Sequence, residues 1–181
     1  MSLISTSYFV KDISLPTGEF SNLTNDIVKY EPEILKEVLG YELGKLVIAY
    51  DASASSQRIK DIVEGKEYTV SYNGRDQTIK WNGLKNTELI SLIAYYVYYW
   101  WQRNNITSTS TTGEIKPKNE NSIIAGANAK ACAAWYRMRE LIGFSGQNKL
   151  EPSLYNFLTE YEDDYPEWIF KDVGSINIFG I

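Results

Sequence analysis

A nine-residue stretch near the middle of the chain, Ile93–Trp101 (IAYYVYYWW), carries no charged side chain. A helix of this composition is apolar around its whole circumference, so neighbouring elements must cover it. We therefore predict a helix from about residue 86 or 87 to about 104 that lies at the centre of the fold. Its tyrosine hydroxyls will need hydrogen-bond partners once they are buried.

Helical periodicity on both sides of this segment predicts a bundle. Apolar residues recur at steps of three and four from Leu35 to Tyr50, and Gly40 inside that stripe predicts a kink or a close contact between helices. Pro32 suits the first turn of a helix, where its missing N–H costs nothing. We expect helices over about 22–30, 32–51, 57–64, 124–142 and 153–162. The helix over 124–142 carries an alanine-rich row of residues at steps of three and four, which we call its seam, and we expect this seam to join the core.

After residue 66 the spacing of apolar residues changes from the helical three and four to every second residue. Tyr68, Val70 and Tyr72 alternate with polar residues, and the alternation resumes at Ile79 and Trp81 after Asn73-Gly74-Arg75-Asp76. Asn-Gly tolerates the positive φ angles of a tight hairpin turn, so residues 67–82 predict a β-hairpin. Because a lone hairpin is marginally stable in water, it must pack on helices or pair with another chain.

These elements predict one mainly α domain over residues 1–181, a helical bundle of four to six helices with one β-hairpin insertion at about 67–82. We expect residues 1–20 to form an extended arm or a short edge strand at Tyr8–Val10. The tail 165–181 is apolar and reads as strand-like. The segment 105–122 is polar, and its Thr107–Gly113 core has no apolar residue, so we predict a loop without secondary structure.

Composition excludes several chemistries. The chain has no histidine and a single cysteine, Cys132, which removes histidine-based triads, Cys/His metal sites and disulfides. The net charge of -5 disfavours duplex binding by phosphate neutralisation. The first residues do not look like a signal peptide, and the longest apolar stretch is too short for a membrane span. We expect a protein that acts through contacts with other proteins, with no enzymatic activity, no cofactor and no metal.

Two other functions compete with this interpretation. The tyrosine and tryptophan rings could form a carbohydrate- or nucleic-acid-binding module, which requires exposed aromatic faces beside arginine or lysine. The acidic cluster Glu160–Asp164 could supply the carboxylates of a hydrolase or a cation site, but its spacing is more typical of a solvated surface.

Several stretches resemble a family of structural proteins from Bacteroidetes phages and prophages, related to the head–tail connector, adaptor and head-completion proteins of tailed phages. The resemblance covers roughly residues 25–160. The stretches that carry it are Tyr30–Leu35 (YEPEIL), Leu39–Leu43 (LGYEL), Arg103–Thr107 (RNNIT) and Gly113–Asn121 (GEIKPKNEN), together with Trp135 and Met138.

The resemblance implies a structural virion protein at the head–tail junction, made in the host cytoplasm. Such proteins form a homo-oligomeric ring, commonly of twelve copies, below the portal, and join it to stopper or tail proteins. DNA would only pass through the lumen, and no membrane is involved. We expect the hairpin tip and the polar loop to face the partners, through Asn73, Gly74, Arg75, Asp76, Arg103, Thr107, Thr111, Glu114, Lys116, Lys118, Glu120 and Asn121.

Overall fold

A computed structural model describes residues 2–15, 20–106, 108–110, 113–115 and 127–174. Its helices are α1 (Phe20–Leu39), α2 (Tyr41–Ile48), α3 (Gln57–Glu64), α4 (Leu92–Ile106), α5 (Ala127–Ile142) and α6 (Leu154–Glu160). Its strands form two antiparallel hairpins, β1 (Lys66–Tyr72) with β2 (Arg75–Trp81) and β3 (Ser108–Ser110) with β4 (Gly113–Ile115). The prediction of a mainly helical bundle with a hairpin insertion at 67–82 is confirmed.

Helix α4 forms the centre of the fold, as its composition predicts. Every residue from Leu92 to Tyr99 is buried, and α1 and α5 pack against it. The seam of α5 contributes Ala131, Ala134 and the fully buried Met138 to the core. The helix begins at Leu92 rather than at residue 86 because Leu89 has a left-handed φ of 58° and the Ser91 hydroxyl caps the first turn by accepting a hydrogen bond from the Ile93 N–H.

Helix α1 runs through Pro32 without a break, so the expected division into helices over 22–30 and 32–51 is wrong. Proline removes the hydrogen bond to the carbonyl four residues earlier, that of Val28. Val28 is 62% exposed, so water can satisfy this carbonyl. The chain instead bends at Gly40, whose φ of 78° ends α1 and opens α2, so the structure shows the kink, one of the two alternatives predicted there.

The described part of the N-terminal segment, residues 2–15, packs on the helices and forms neither an extended arm nor an edge strand. Two 3₁₀ helices, Thr6–Tyr8 and Lys11–Ile13, replace the strand expected at Tyr8–Val10. The apolar side chains of this segment are in the core: Leu3, Ile4, Tyr8, Phe9 and Ile13. A run of three apolar residues, Tyr8–Val10, is too short to distinguish a strand from a 3₁₀ turn.

The buried carboxylate of Glu31 binds this N-terminal segment to α1. It accepts hydrogen bonds from the Leu3 N–H at 3.0 Å and from the Ile4 N–H at 3.3 Å, and it is 4% exposed. Burial raises the pKa of the Glu31 carboxyl, and the two main-chain donors oppose that shift. Glu31 therefore joins α1 to Leu3 and Ile4, which lie 28 and 27 positions earlier in the chain.

We expect Glu31→Ala to destabilise the protein by about 2–4 kcal/mol, because two buried main-chain donors lose their acceptor. Glu31→Gln keeps an acceptor and should cost less. Because the folded-state pKa lies above that of the unfolded chain, the advantage of the parent over Glu31→Gln should be largest at acidic pH and should fall as the pH rises through the folded-state pKa. Urea unfolding of both proteins between pH 4 and pH 8 measures this difference.

The exposed Glu42 provides the control, since Glu42→Gln should change stability by less than about 0.5 kcal/mol. Hydrogen exchange gives a local test: the amides of Leu3 and Ile4 should exchange faster in Glu31→Ala. An advantage over Glu31→Gln that grows with pH would contradict this account of the site.

The polar segment after α4 contains secondary structure, so the prediction of a loop without structure over 105–122 is wrong in part. Ser108 pairs with Ile115, Thr109 with Glu114, and Ser110 with Gly113. β-Branched threonine has a high strand propensity, and the extended main chain can pair without a hydrophobic face of its own. The pattern of apolar residues, on which the prediction depended, does not detect such a hairpin.

The beginning of the C-terminal tail packs on its own chain. Residues 168–174 follow an irregular path and form no strand, unlike the prediction. The Trp168 indole donates to the Val38 carbonyl at 3.3 Å, and the Trp135 indole donates to the Gly174 carbonyl at 2.9 Å. Residues 175–181, the other part of the predicted tail, lie outside the described residues.

Candidate interaction surface

The tip of the first hairpin is a solvent-exposed two-residue turn. Asn73 and Gly74 have φ angles of 52° and 72°, as a tight hairpin turn requires, and Tyr72 pairs with Arg75 across it. All residues from 71 to 78 are exposed. The turn predicted from Asn-Gly is confirmed, and the Arg75 and Asp76 side chains are accessible to a partner.

The inner face of this hairpin anchors the tip to the helical core. Tyr68, Val70, Ile79 and Trp81 are buried, and the Trp81 indole donates to the Ile62 carbonyl at 3.0 Å. Phe157 of α6 lies beneath them, with its ring centre 5.6 Å from that of Tyr68 and 6.2 Å from that of Trp81. The hairpin packs on helices, one of the two alternatives that its marginal stability left open.

Two of the predicted residues of the second region, Arg103 and Glu114, lie in the described part of the chain. Arg103 lies in the last turns of α4, where its guanidinium donates to the Tyr99 hydroxyl at 2.9 Å and lies 5.6 Å from the Trp100 ring centre. Glu114 lies in β4, opposite Thr109. The remaining predicted residues lie outside the described part of the chain: Thr107, Thr111, Lys116, Lys118, Glu120 and Asn121.

The tyrosine hydroxyls of α4 find partners within the chain. Tyr95 donates to Asp12 at 3.0 Å and Tyr96 to Glu33 at 2.7 Å, while Tyr98 accepts from Gln102 at 2.8 Å. The rings themselves are buried, so they present no open face on which a base or a sugar could stack. The acidic partners Asp12 and Glu33 had no sequence signal, because each is brought to α4 from a distant segment.

A shallow cleft of about 510 Å³ opens between the N-terminal segment and residues 85–89. Tyr50 and Glu64 lie at its edge, and the Tyr50 hydroxyl donates to the Glu64 carboxylate. This hydrogen bond, with a small contribution from burial, raises the pKa of Tyr50 to about 12. A phenol held protonated beside its own acceptor is a poor general base at neutral pH.

An ion pair fixes the path of the chain after the acidic cluster. Arg58 of α3 binds Glu167 through two nitrogens, at 2.8 and 2.7 Å, and donates to the Asp164 carbonyl at 3.2 Å. The hydrogen bonds from Arg58 lower the pKa of Glu167 to about 2. In residues 2–15, 20–106, 108–110, 113–115 and 127–174, no group of three or more histidine, cysteine or acidic residues could hold a metal ion.

Among the helices described, none combines the length and the hydropathy needed to cross a bilayer. Exposed apolar side chains occur on several of the described elements: Val28, Tyr41, Leu46, Tyr72, Tyr136, Phe144 and Ile169. Comparison of the chain with protein-family models, with curated proteins and with solved structures finds no match.

Proposed function

We propose that this chain is a non-catalytic structural protein of the phage head–tail junction, a connector or adaptor that assembles as a ring below the portal and joins it to stopper or tail proteins. The proposal begins from the resemblance over residues 25–160. One observation in the structure supports it most: a hairpin with an exposed polar tip is held rigidly on a helical core by Tyr68, Val70, Ile79 and Trp81.

A rigid support matters because binding through a preordered element avoids the entropy cost of ordering it. The hydroxyls of Tyr95, Tyr96 and Tyr98 have partners within the chain. The buried Tyr68 hydroxyl and Trp100 Nε1 have none among the described residues. The tip Asn73–Asp76 and the region around β3 and β4 are then the contact elements. An exposed aromatic platform for sugars or bases is disfavoured because the aromatic rings of α4 are buried, except that of Trp100, which is partly buried.

Light scattering coupled to gel filtration tests the assembly. The protein is mixed with the portal protein encoded by the same phage or prophage genome, and each component is also run alone. A twelve-membered ring of a 20.7 kDa chain would add about 250 kDa to the mass of the portal. We expect a discrete complex of that kind from the mixture.

The hairpin tip gives a matched pair of variants. Reversing both tip charges, with Arg75→Glu and Asp76→Lys, should weaken the complex and leave the thermal midpoint unchanged within about 2 °C, since both side chains are exposed. The same reversal at the exposed pair Arg137 and Glu140 of α5 serves as the control. A protein that stays monodisperse at 20.7 kDa with every virion component would refute the proposal.

A further inference from the structure

Strand β1 has a free edge that runs along its whole length. Thr69 pairs with Thr78 across the hairpin, and the two-residue turn sets the register from Lys66↔Trp81 to Tyr72↔Arg75. In a hairpin with this turn, residues 66, 68, 70 and 72 exchange hydrogen bonds with β2, so the main-chain groups of 67, 69 and 71 point outward. Within the described part of the chain, these groups have no main-chain partner.

The two edges of the hairpin differ in their protection. Proteins block free edges with charged residues, proline or bulges, because an unprotected edge pairs with other chains. The outward residues of β2 are Asp76, Thr78 and Lys80, so a charge stands near each end of that edge. The outward residues of β1 carry one charge, at Glu67, followed by Thr69 and Ser71.

A small cavity of about 150 Å³ adjoins β1 and not β2. Val70 is the only strand residue in its lining, and Tyr155, Asn156 and Thr159 of α6 form the opposite wall. Its lining is mostly apolar, and it can hold one branched aliphatic side chain. When a strand is added to a sheet, main-chain hydrogen bonds supply affinity and pockets for alternate side chains supply specificity.

The charges near this edge indicate the chemistry of the added strand. Glu67 is exposed at the start of the edge, and Glu160 is exposed at the rim of the cavity. Among the described residues, no basic group lies within ion-pair distance of either carboxylate, although Lys80 stands opposite Glu67 across the hairpin and Lys149 lines the cavity with Glu160. The nearby Lys66 is paired with Asp61 at 2.8 Å. A basic residue in the added strand would complement these carboxylates.

We propose that the outer edge of β1 is a strand-addition site for an extended segment of another protein, with a branched aliphatic residue in the cavity and a lysine or arginine near Glu67 and Glu160. The site goes beyond the proposed function, since it requires no ring and no particular partner. It also differs from the hairpin tip, because the strand itself and not the turn makes the contacts.

A peptide of alternating threonine and valine with a lysine at each end is a suitable probe, with fluorescence anisotropy as the measurement. We expect saturable binding. The bound peptide should slow amide exchange at Glu67, Thr69 and Ser71 and leave the exchange rates at Asp76, Thr78 and Lys80 unchanged. Thr69→Pro removes the outward N–H at the middle of the edge and should weaken binding at least about tenfold. Its cross-strand partner gives the matched control, since Thr78→Pro should leave binding within about twofold.

Two further measurements keep the test decisive if Thr69→Pro does not fold. The peptide methylated at the amides that face β1 should bind at least about tenfold more weakly to the parent protein. Thr159→Phe, which fills the cavity from the exposed surface of α6, should weaken binding by a similar factor and leave the thermal midpoint nearly unchanged.

Three outcomes would overturn the proposal. The first is protection of the β2 amides instead of those of β1. The second is dimerisation of the free protein through the β1 edge, detected by sedimentation and abolished by Thr69→Pro. The third is peptide binding only after the chain is shortened to end at Gly174, because the segment 175–181 would then be the occupant of the edge.

Discussion

Replacing Phe157 by alanine is expected to lower the free energy of unfolding by about 3–5 kcal/mol. The ring is fully buried, and its centre lies 5.3 Å from that of Tyr161 and 6.1 Å from that of Tyr165, in addition to its contacts with the hairpin. The variant loses both the transfer free energy of the ring and the packing around it, because main-chain hydrogen bonds prevent the surrounding hairpin and helix from collapsing onto the cavity.

Urea unfolding followed by circular dichroism measures this loss, and the thermal midpoint should fall by about 6–20 °C for a chain of this length. Phe144 is the control, since it is 44% exposed and Phe144→Ala should cost about 1 kcal/mol or less. Hydrogen exchange should show the first loss of protection in β1 and β2, which rest on the Phe157 ring. Equal losses of stability in Phe157→Ala and Phe144→Ala would mean that α6 does not support the hairpin.

Gly83→Ala is expected to cost about 2–5 kcal/mol, as the sum of a backbone and a packing penalty. Gly83 has a φ of 82°, and a Cβ atom there would lie 2.5 Å from the carbonyl carbon of Glu64 and 2.6 Å from the nitrogen of Gly65. Both neighbours are main-chain atoms at the junction of α3 and β1, so neither can move aside. The next residue, Leu84, donates its N–H to the Ile62 carbonyl at 3.2 Å, which holds the two segments together.

Gly74 separates the two penalties. Its φ is 72°, and no atom lies within 4 Å of a Cβ built there, so Gly74→Ala carries backbone strain without a clash and should cost about 1–2 kcal/mol. Both variants are compared by urea unfolding at neutral pH. An equal loss of unfolding free energy in Gly83→Ala and Gly74→Ala would show that the close contact between the α3 and β2 segments contributes nothing to stability.

Much of the fold could be predicted from local pattern. Asn73-Gly74 between two alternating runs predicts the hairpin turn, because few other residues tolerate positive φ at both positions. The Ile93–Trp101 stretch predicts a buried helix, because no orientation of such a helix hides its apolar surface from water without neighbours. Gly40 predicts the bend between α1 and α2 for a related reason, since its φ of 78° is strained for other residues.

The candidate site was less accessible to this reasoning. The tip Asn73–Asp76 follows from the turn residues alone, whereas the free edge of β1 and its cavity depend on how α6 and the loop at 146–149 pack beside Val70. Nothing in the spacing of Thr69 distinguishes it from Thr78, and only the packing of α6 against one strand makes the two edges unequal.

By itself, the sequence determined the helix that must be buried, the turn that closes the hairpin and the absence of histidine chemistry. Each of these follows from residue types or from the spacing of residues that lie close together in the chain. Only the tertiary structure decided that Glu31 binds Leu3 and Ile4, that α1 continues through Pro32, and that Arg58 pairs with Glu167. The two polar contacts join segments far apart in the chain, and the course of α1 depends on the exposure of its surface at Val28. The free energy of a buried polar group is set by the partner that folding brings to it, and local sequence does not name that partner.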